Sequence, residues 1–196
     1  MNNLEKLKKT EKTKRKLKHA FIKLYKEKKR LDDITVIELC ELSDCTRTTF
    51  YAYFNNIYDL LQEIENELLS MIDAILSKRD LNAIKNYKMG EEIPNIYQQT
   101  YEHLAEYSDY YSVLTGEYGD PLFVYKLKKM IRKNIEEVFS CWDSECKDIG
   151  ICSVFISSAI VDVIPYWLTQ RPELSAQEVA SLMGQLMIGS ANNLKK

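Results

Sequence analysis

The stretch from Asp33 to Leu61, DITVIELCELSDCTRTTFYAYFNNIYDLL, limits the possible folds more than any other part of the chain. Thr35 is a good helix N-cap, and Glu38 three residues on completes a capping box. Ile34 stands where a hydrophobic staple onto Leu39 would set how the chain enters the helix. Val36, Leu39 and Cys40 share one face, so this short helix packs inward along that side. Ser43-Asp44-Cys45 reads as a turn, with Thr46 capping a second helix. From Thr46 the helix turns Phe50 and Phe54 one way, and Arg47, Thr48, Tyr51 and Ala52 the other. Two short helices joined by so tight a turn form a helix-turn-helix, whose second helix lies in the DNA major groove.

The run Thr46-Arg47-Thr48-Thr49-Phe50-Tyr51-Ala52-Tyr53-Phe54, with the helix start at Ile57 to Leu61 behind it, resembles the DNA-binding domain of the TetR/AcrR family of bacterial regulators. The Thr35-Val36 helix start and the Tyr51, Tyr53, Phe54 pattern match position by position. The resemblance covers about Lys12 to Leu69 in detail, and the remainder only in length and helix order. Two positions depart from it. Asp44 stands where the family usually has Gly, and Asp tolerates the left-handed conformation such a turn needs. Ile57 stands where the family often has a phosphate-binding Lys, so the resemblance does not carry that one backbone contact over. A helical hairpin that binds nothing is the competing reading, but helix period alone does not require Arg and Thr on the outward side.

The resemblance implies an all-α chain. Residues 1–54 would form a three-helix, helix-turn-helix DNA-binding domain, followed by a connecting helix at about 56–78. Residues 55–196 would form a helical ligand-binding and dimerisation domain. Charge follows that division. Residues 1–54 hold 14 Lys/Arg against 8 Asp/Glu, a net of +6, and the remainder 13 against 21, a net of −8. A basic head beside the motif suits phosphate attraction, although Lys-rich helix faces are also simply solvated. No apolar run follows the opening basic residues, so no secretory signal is expected. Ile149 to Leu168 is apolar over about a membrane's span, but Asp162, Pro165, Ser153, Ser157 and Ser158 interrupt it. A buried helix is the better explanation, with no membrane partner. The five cysteines (Cys40, Cys45, Cys141, Cys146, Cys152) form no CxxC pair and have no His spaced for zinc. A reduced cytoplasmic protein without metal or cofactor is expected.

Along the chain, residues 1–12 are Lys- and Asn-rich and expected to fray. From Lys14 to Lys29 the positions Leu17, Ala20, Phe21, Leu24 and Tyr25 make a helical stripe among basic residues. Arg30 to Asp33 links it to the motif. Asn55 or Asn56 caps the long helix, with the ladder Leu60, Leu61, Ile64, Leu68, Met71, Ile72 and Ile75. In the resembling family this helix is the lever between ligand and DNA. Asp80 to Glu92, containing Gly90, reads as a break with at most a short helical turn. Pro94 opens a helix whose inward face is Ile96, Tyr97, Tyr101, Leu104 and Ala105, up to about Tyr107. Ser108-Asp109 caps a short helix to Leu114, and Gly116 with Gly119-Asp120-Pro121 starts the next. That helix carries Phe123, Leu127, Met130, Ile131, Ile135, Val138 and Phe139 inward. The last two helices span about 148–168 and 175–194, the second opened by a Ser175–Glu178 capping box and striped by Val179, Leu182, Met183, Leu186 and Met187. The first of them is apolar nearly all round, which asks for burial on more than one side. A second copy supplies the other side, giving a homodimer through these helices, as DNA half-sites related by a twofold require.

Arg47 is the candidate for bidentate contact with a guanine edge, and Thr48 and Ala52 for base edges or a thymine methyl. Tyr51, Tyr53, Thr49, Thr46 and Thr35 suit phosphates, the tyrosine roles being implied by the resemblance. Lys14 and Lys16 (with Arg15 or Lys18) lie on the first helix where they reach phosphates too. Tyr97, Tyr101, His103, Tyr107, Tyr110, Tyr111 and Tyr118 crowd the region where the resembling family holds a small-molecule pocket. Helix-spaced tyrosines that pack the core and put hydroxyls in water explain them as well. An enzyme fares poorly: the chain has two histidines and no catalytic, metal or phosphate-loop pattern. The expectation is a repressor of operator DNA released by an effector, or an activator of the same fold working through a protein partner without one.

Overall fold

The computed structural model describes residues 3–86, 94–141 and 148–193. All regular structure among them is helical, and the chain divides into two compact units, Met1–Leu68 and Leu69–Lys196. The division falls inside one helix; the break expected at 54/55 lies ahead of it.

The first unit holds α1 (Asn3–Lys28), a 3-10 turn (Leu31–Asp33), α2 (Val36–Ser43), α3 (Arg47–Tyr51) and the first turns of α4 (Ile57–Leu76). α1 starts earlier than its apolar stripe predicts, at Asn3 rather than near Lys14. Leu7 is exposed there, so packing is not the cause; Lys and Glu are good helix formers and extend the helix outward from its anchored half. Its C-terminus closes on Lys29, which takes a left-handed φ of 62° and donates its N–H to Tyr25 at 2.8 Å. The core draws Leu17, Phe21 and Tyr25 from α1, Leu39 and Cys40 from α2, Phe50 and Phe54 from α3 and the turn after it, and Leu60, Ile64 and Leu68 from α4. Asn56 is the cap of α4: its Oδ1 accepts the Asp59 N–H at 2.9 Å, while Asp59 Oδ2 accepts the Asn55 N–H at 3.1 Å.

The second unit continues from α4 through α5 (Leu81–Asn86), α6 (Asn95–Glu106), α7 (Ser108–Leu114), α8 (Pro121–Cys141), α9 (Ile149–Gln170) and α10 (Ala176–Asn193). α9 packs along α8 and α7, and α10 along α6. The short helical turn expected after Asp80 is α5; Gly90 and Cys146 lie outside the described residues. Gly119 fits its turn because a Cβ there would sit 2.2 Å from the Leu114 carbonyl oxygen, which accepts the next N–H, that of Asp120, at 3.1 Å. Pro121 then opens α8, with Asp120 Oδ1 accepting from Leu122 at 2.7 Å. The Ser175–Glu178 capping box forms with both reciprocal bonds.

Four details of this unit differ from the sequence reading. Ser108 is the first residue of α7 and not its cap, since α6 runs almost directly into α7 with no side-chain cap between them. Ala105 is exposed and His103 buried in its place, because Ile96, Tyr101, His103 and Leu104 span one arc of the helix and Ala105 falls just past its edge. On α10, Val179, Ala180 and Met183 point inward, which swings Leu182 and Leu186 to an exposed flank. α9, expected to be buried, turns Ser153, Ile156, Val161, Ile164 and Trp167 inward and leaves Ile151, Phe155 and Tyr166 largely exposed. It is the one helix among the described residues long and apolar enough to cross a membrane. Its charged residue Asp162 is bound by Lys128 of α8 at 2.8 Å, and Ser153 donates to Glu136 at 3.0 Å.

The α2–α3 turn supplies a stability test. Asp44 ends α2 at φ 53° and ψ 47°, a conformation open to Gly and Asp but unfavourable for a β-branched residue. Asp44→Val should therefore unfold at lower urea than Asp44→Gly, by about 1–2 kcal/mol. Equal stability of the two variants would show that the turn carries no such strain.

Candidate nucleic-acid interface

Each short helix of the motif is held at its N-terminus before it is held by packing. Thr35 Oγ1 accepts the Glu38 N–H at 3.3 Å, and the Glu38 carboxylate receives the Thr35 N–H at 3.1 Å and the Thr35 hydroxyl at 2.7 Å. Lys28 from the end of α1 pairs with the same carboxylate and also donates to the Asp33 carbonyl at 2.6 Å. The start of α2 is thereby fixed to the end of α1. Asp44 N–H reaches the Glu41 carbonyl at 3.4 Å and Cys45 N–H the Cys40 carbonyl at 3.0 Å, closing the turn. Thr46 then caps α3, its Oγ1 accepting the Thr49 N–H at 3.1 Å.

This places the candidate base-reading residues on one open side. Arg47, Thr48, Tyr51 and Ala52 are exposed, while Phe50 is fully buried and Phe54 nearly so. α3 is shorter than the Thr46–Tyr53 segment: it ends at Tyr51, and Ala52, Tyr53 and Phe54 follow as a further hydrogen-bonded turn. Tyr53 is half-buried, its ring 6.5 Å from that of Phe54. Arg47 is exposed and has no ion pair among the described residues, so its guanidinium is not committed to a carboxylate of the protein.

The candidate phosphate donors are less equal. Thr46 and Thr49 share a hydroxyl–hydroxyl bond of 2.8 Å, which uses one O–H and leaves the other for an outside acceptor. Thr35 is exposed, yet both its N–H and its O–H point to Glu38. Lys14 is bonded to Glu63 at 3.0 Å and sits 5.6 Å above the Phe54 ring, with Lys18 on the same glutamate at 2.9 Å. Lys16 is the open one: it stands 3.6 Å from an almost fully solvated Asp44 carboxylate, and so exposed a pair is easily exchanged for another anion. Tyr58, which sequence reasoning did not single out, is exposed and donates to Asp32 Oδ1 at 2.6 Å, tying the start of α4 to the 3-10 turn. No local signal links two surface residues so far apart in sequence.

In the second unit the seven residues expected around a pocket separate into two groups. Tyr97 and Tyr101 of α6 line an apolar cavity of about 100 Å³, walled by α4, α5, α6, α8, α9 and α10. His103, Tyr107, Tyr110, Tyr111 and Tyr118 are not among its lining residues. His103 bonds to the Tyr111 hydroxyl at 2.9 Å, and its ring stands 4.8 Å from that of Tyr107. Burial holds its basicity down despite Glu106 nearby, so it is a core group satisfied by a phenol. Tyr118 is exposed. The family resemblance grouped all seven in one region; in the structure α6 lines the cavity with Tyr97 and Tyr101 and bonds Tyr111 of α7 through His103. Among the described residues no group of His, Cys, Asp and Glu is arranged to hold a metal ion.

Comparison with known proteins bears on both units. The family model described as a transcriptional regulator C-terminal region, of the TetR type, matches residues 91–189. No curated protein matches the chain. Among solved structures, a putative TetR-family transcriptional regulator from Syntrophomonas wolfei str. Goettingen is similar at TM-score 0.69 and 16% identity, covering 93% of this chain and 96% of that one. A TetR transcriptional regulator from Streptococcus agalactiae 2603V is similar at TM-score 0.63 and 19% identity, over 95% and 99% of the two chains. The dihydroxyacetone kinase operon activator DhaS is similar at TM-score 0.62 and 17% identity, over 94% and 98%.

The capping box carries a pH dependence. Lys28, then the Thr35 hydroxyl and amide, hold the Glu38 carboxyl at about 2, below its ordinary value of 4.5. The folded pKa is depressed, so this contribution is present above pH 4.5 and is lost as pH falls through about 2. Glu38→Gln should remove that acid-sensitive part of the stability without changing the rest. Denaturation midpoints measured from about pH 5 down to pH 2 should fall more steeply for the parent than for the variant; parallel curves would mean the box is not formed in solution.

Proposed function

The chain belongs to the TetR family of transcriptional regulators, and on that premise we propose that it binds operator DNA through α3 as a homodimer and answers to an effector held in its second unit. One observation carries the DNA reading: Arg47, Thr48 and Ala52 stand exposed on a helix whose opposite side, Phe50, is fully buried. Arg47 is assigned to a guanine edge, and Thr48 and Ala52 to neighbouring base edges. Tyr51, Tyr53, Thr46, Thr49 and Lys16 are assigned to phosphates, with Thr35 and Lys14 contributing once they exchange their glutamate partners. Unless they do, those two act on stability more than on DNA.

The homodimer is supported by the exposed apolar stripe Ile151, Phe155, Tyr166 on α9, with Leu182 and Leu186 on α10. Full burial of an Ile, Leu or Phe side chain is worth about 1.5–3 kcal/mol, and covering the exposed part of each recovers a share of that. A second copy applying the same helices makes the contact isologous and suits a twofold-symmetric DNA site. Repression with release by a small molecule is the reading favoured by the apolar cavity beside Tyr97 and Tyr101. The sign of regulation has a second reading, an activator working through a protein partner; likeness to an operon activator bears on the sign alone. A cytoplasmic location follows from either.

The experiment is DNA binding to the sequence upstream of the protein's own gene, followed by fluorescence anisotropy against salt. Arg47→Ala should cost about 1–3 kcal/mol on the cognate site and little on random DNA, whereas Lys16→Ala should weaken both alike. Equal losses on both DNAs for Arg47→Ala would remove it from base recognition. Phe155→Asp should convert a dimer to a folded monomer in sedimentation and abolish tight binding to a palindromic site; a variant that stays dimeric would move the interface elsewhere.

A further inference from the structure

The apolar cavity beside Tyr101 carries a few polar side chains, and two of them, Tyr101 and Arg79, hold buried hydrogen-bond donors without a partner among the described residues. Tyr101 is 4% exposed, its hydroxyl is buried, and no atom among the described residues bonds it. Its ring is held 5.7 Å from that of Trp167, which is itself fixed by a bond from its indole N–H to the Leu174 carbonyl at 2.9 Å. Arg79 has two of its nitrogens engaged, by Asn134 at 2.7 Å, the Leu76 carbonyl at 3.0 Å and Glu137, but its Nε is buried and unbonded. Tyr101 and Arg79 both line the same cavity, and the rest of its wall is mostly Ile, Leu, Val and Phe. Buried polar groups are almost always satisfied, so two orphans on one small cavity mark a missing partner.

The chemistry of that partner follows from the donors. An arginine Nε–H only donates, and burial keeps the Tyr101 phenol protonated, so both call for an acceptor. The guanidinium is already balanced by Glu137, hence an added carboxylate would enter an apolar cavity with no spare positive charge to meet it. We propose that the cavity takes a small neutral molecule, apolar over most of its surface and bearing a carbonyl-type oxygen that receives the Tyr101 hydroxyl. This rests on the effector reading above and specifies its ligand class. At about 100 Å³ the cavity is smaller than the roughly 150 Å³ engineered cavity that takes benzene, so a single six-membered ring is near its limit.

Three probes built on one six-membered ring test this on the full chain by thermal shift and intrinsic fluorescence: cyclohexanone, methylcyclohexane and the somewhat larger cyclohexanecarboxylate. Cyclohexanone should raise the melting temperature most and bind about tenfold tighter than methylcyclohexane, the size of one well-made buried hydrogen bond. Tyr101→Phe, which keeps the ring and the fold, should erase most of that preference while methylcyclohexane still binds. Strongest binding by the carboxylate, an unchanged preference in Tyr101→Phe, or no shift with any of the three would overturn the assignment, the last meaning that water satisfies both donors. Cyclohexanone binding that leaves DNA affinity unchanged supports the cavity assignment and overturns only the release of operator proposed above.

Discussion

A helix of five residues has no stability of its own in water, because nucleation costs more than so few hydrogen bonds return. α3 exists only because Thr46 caps it and Phe50 is driven into the core behind it. That dependence explains why its outward side is free to carry polar and functional residues. Everything that fixes the segment acts from its inner side or its ends: the Asp44 turn before it, the Phe54 turn after it, and α2 packed against it. The same logic extends to α2, eight residues long, whose start is clamped by the reciprocal Thr35–Glu38 bonds and by Lys28.

The second unit is organised differently. Its helices are long enough to persist by packing, and the question each poses is which side is covered. α9 answers with polar insertions: Asp162 and Ser153 are both taken up by α8, which orients the helix about its own axis and leaves the Ile151–Phe155 side outward. α6 answers with rings, Tyr101 against Trp167 and His103 against Tyr111. The two sets of aromatics are neighbours in sequence but serve separate ends, one bordering a cavity and the other closing a core.

Much of this was legible in the residues. Thr35, Thr46, Asn56 and Ser175 mark helix starts because capping is local chemistry, settled within three or four positions. The left-handed Asp44 and the inward Phe50 and Phe54 follow from turn chemistry and helix period. What failed were questions of rotation and partnership. Leu182, Leu186 and Ala105 lie at the edges of apolar stripes, where a step of one residue turns a side chain by about 100° and periodicity cannot choose the flank. The sorting of His103 and Tyr111 away from Tyr97 and Tyr101 needed the packing of α6 against two different neighbours. Lys14 is a further case: nothing local distinguishes it from Lys16, yet one lies against Glu63 of α4 and the other opposite an exposed Asp44.

The sharing of Glu63 between Lys14 and Lys18 has a consequence for how the basic head meets a polyanion. Two of its lysines are already compensated inside the protein, and Lys18 binds Glu67 as well. They add to the count of positive residues without standing ready to displace condensed cations from a nucleic-acid backbone. The number of ions released on association would then reflect a few exposed side chains, such as Arg15 and the loosely paired Lys16, and would fall well short of the tally of basic residues.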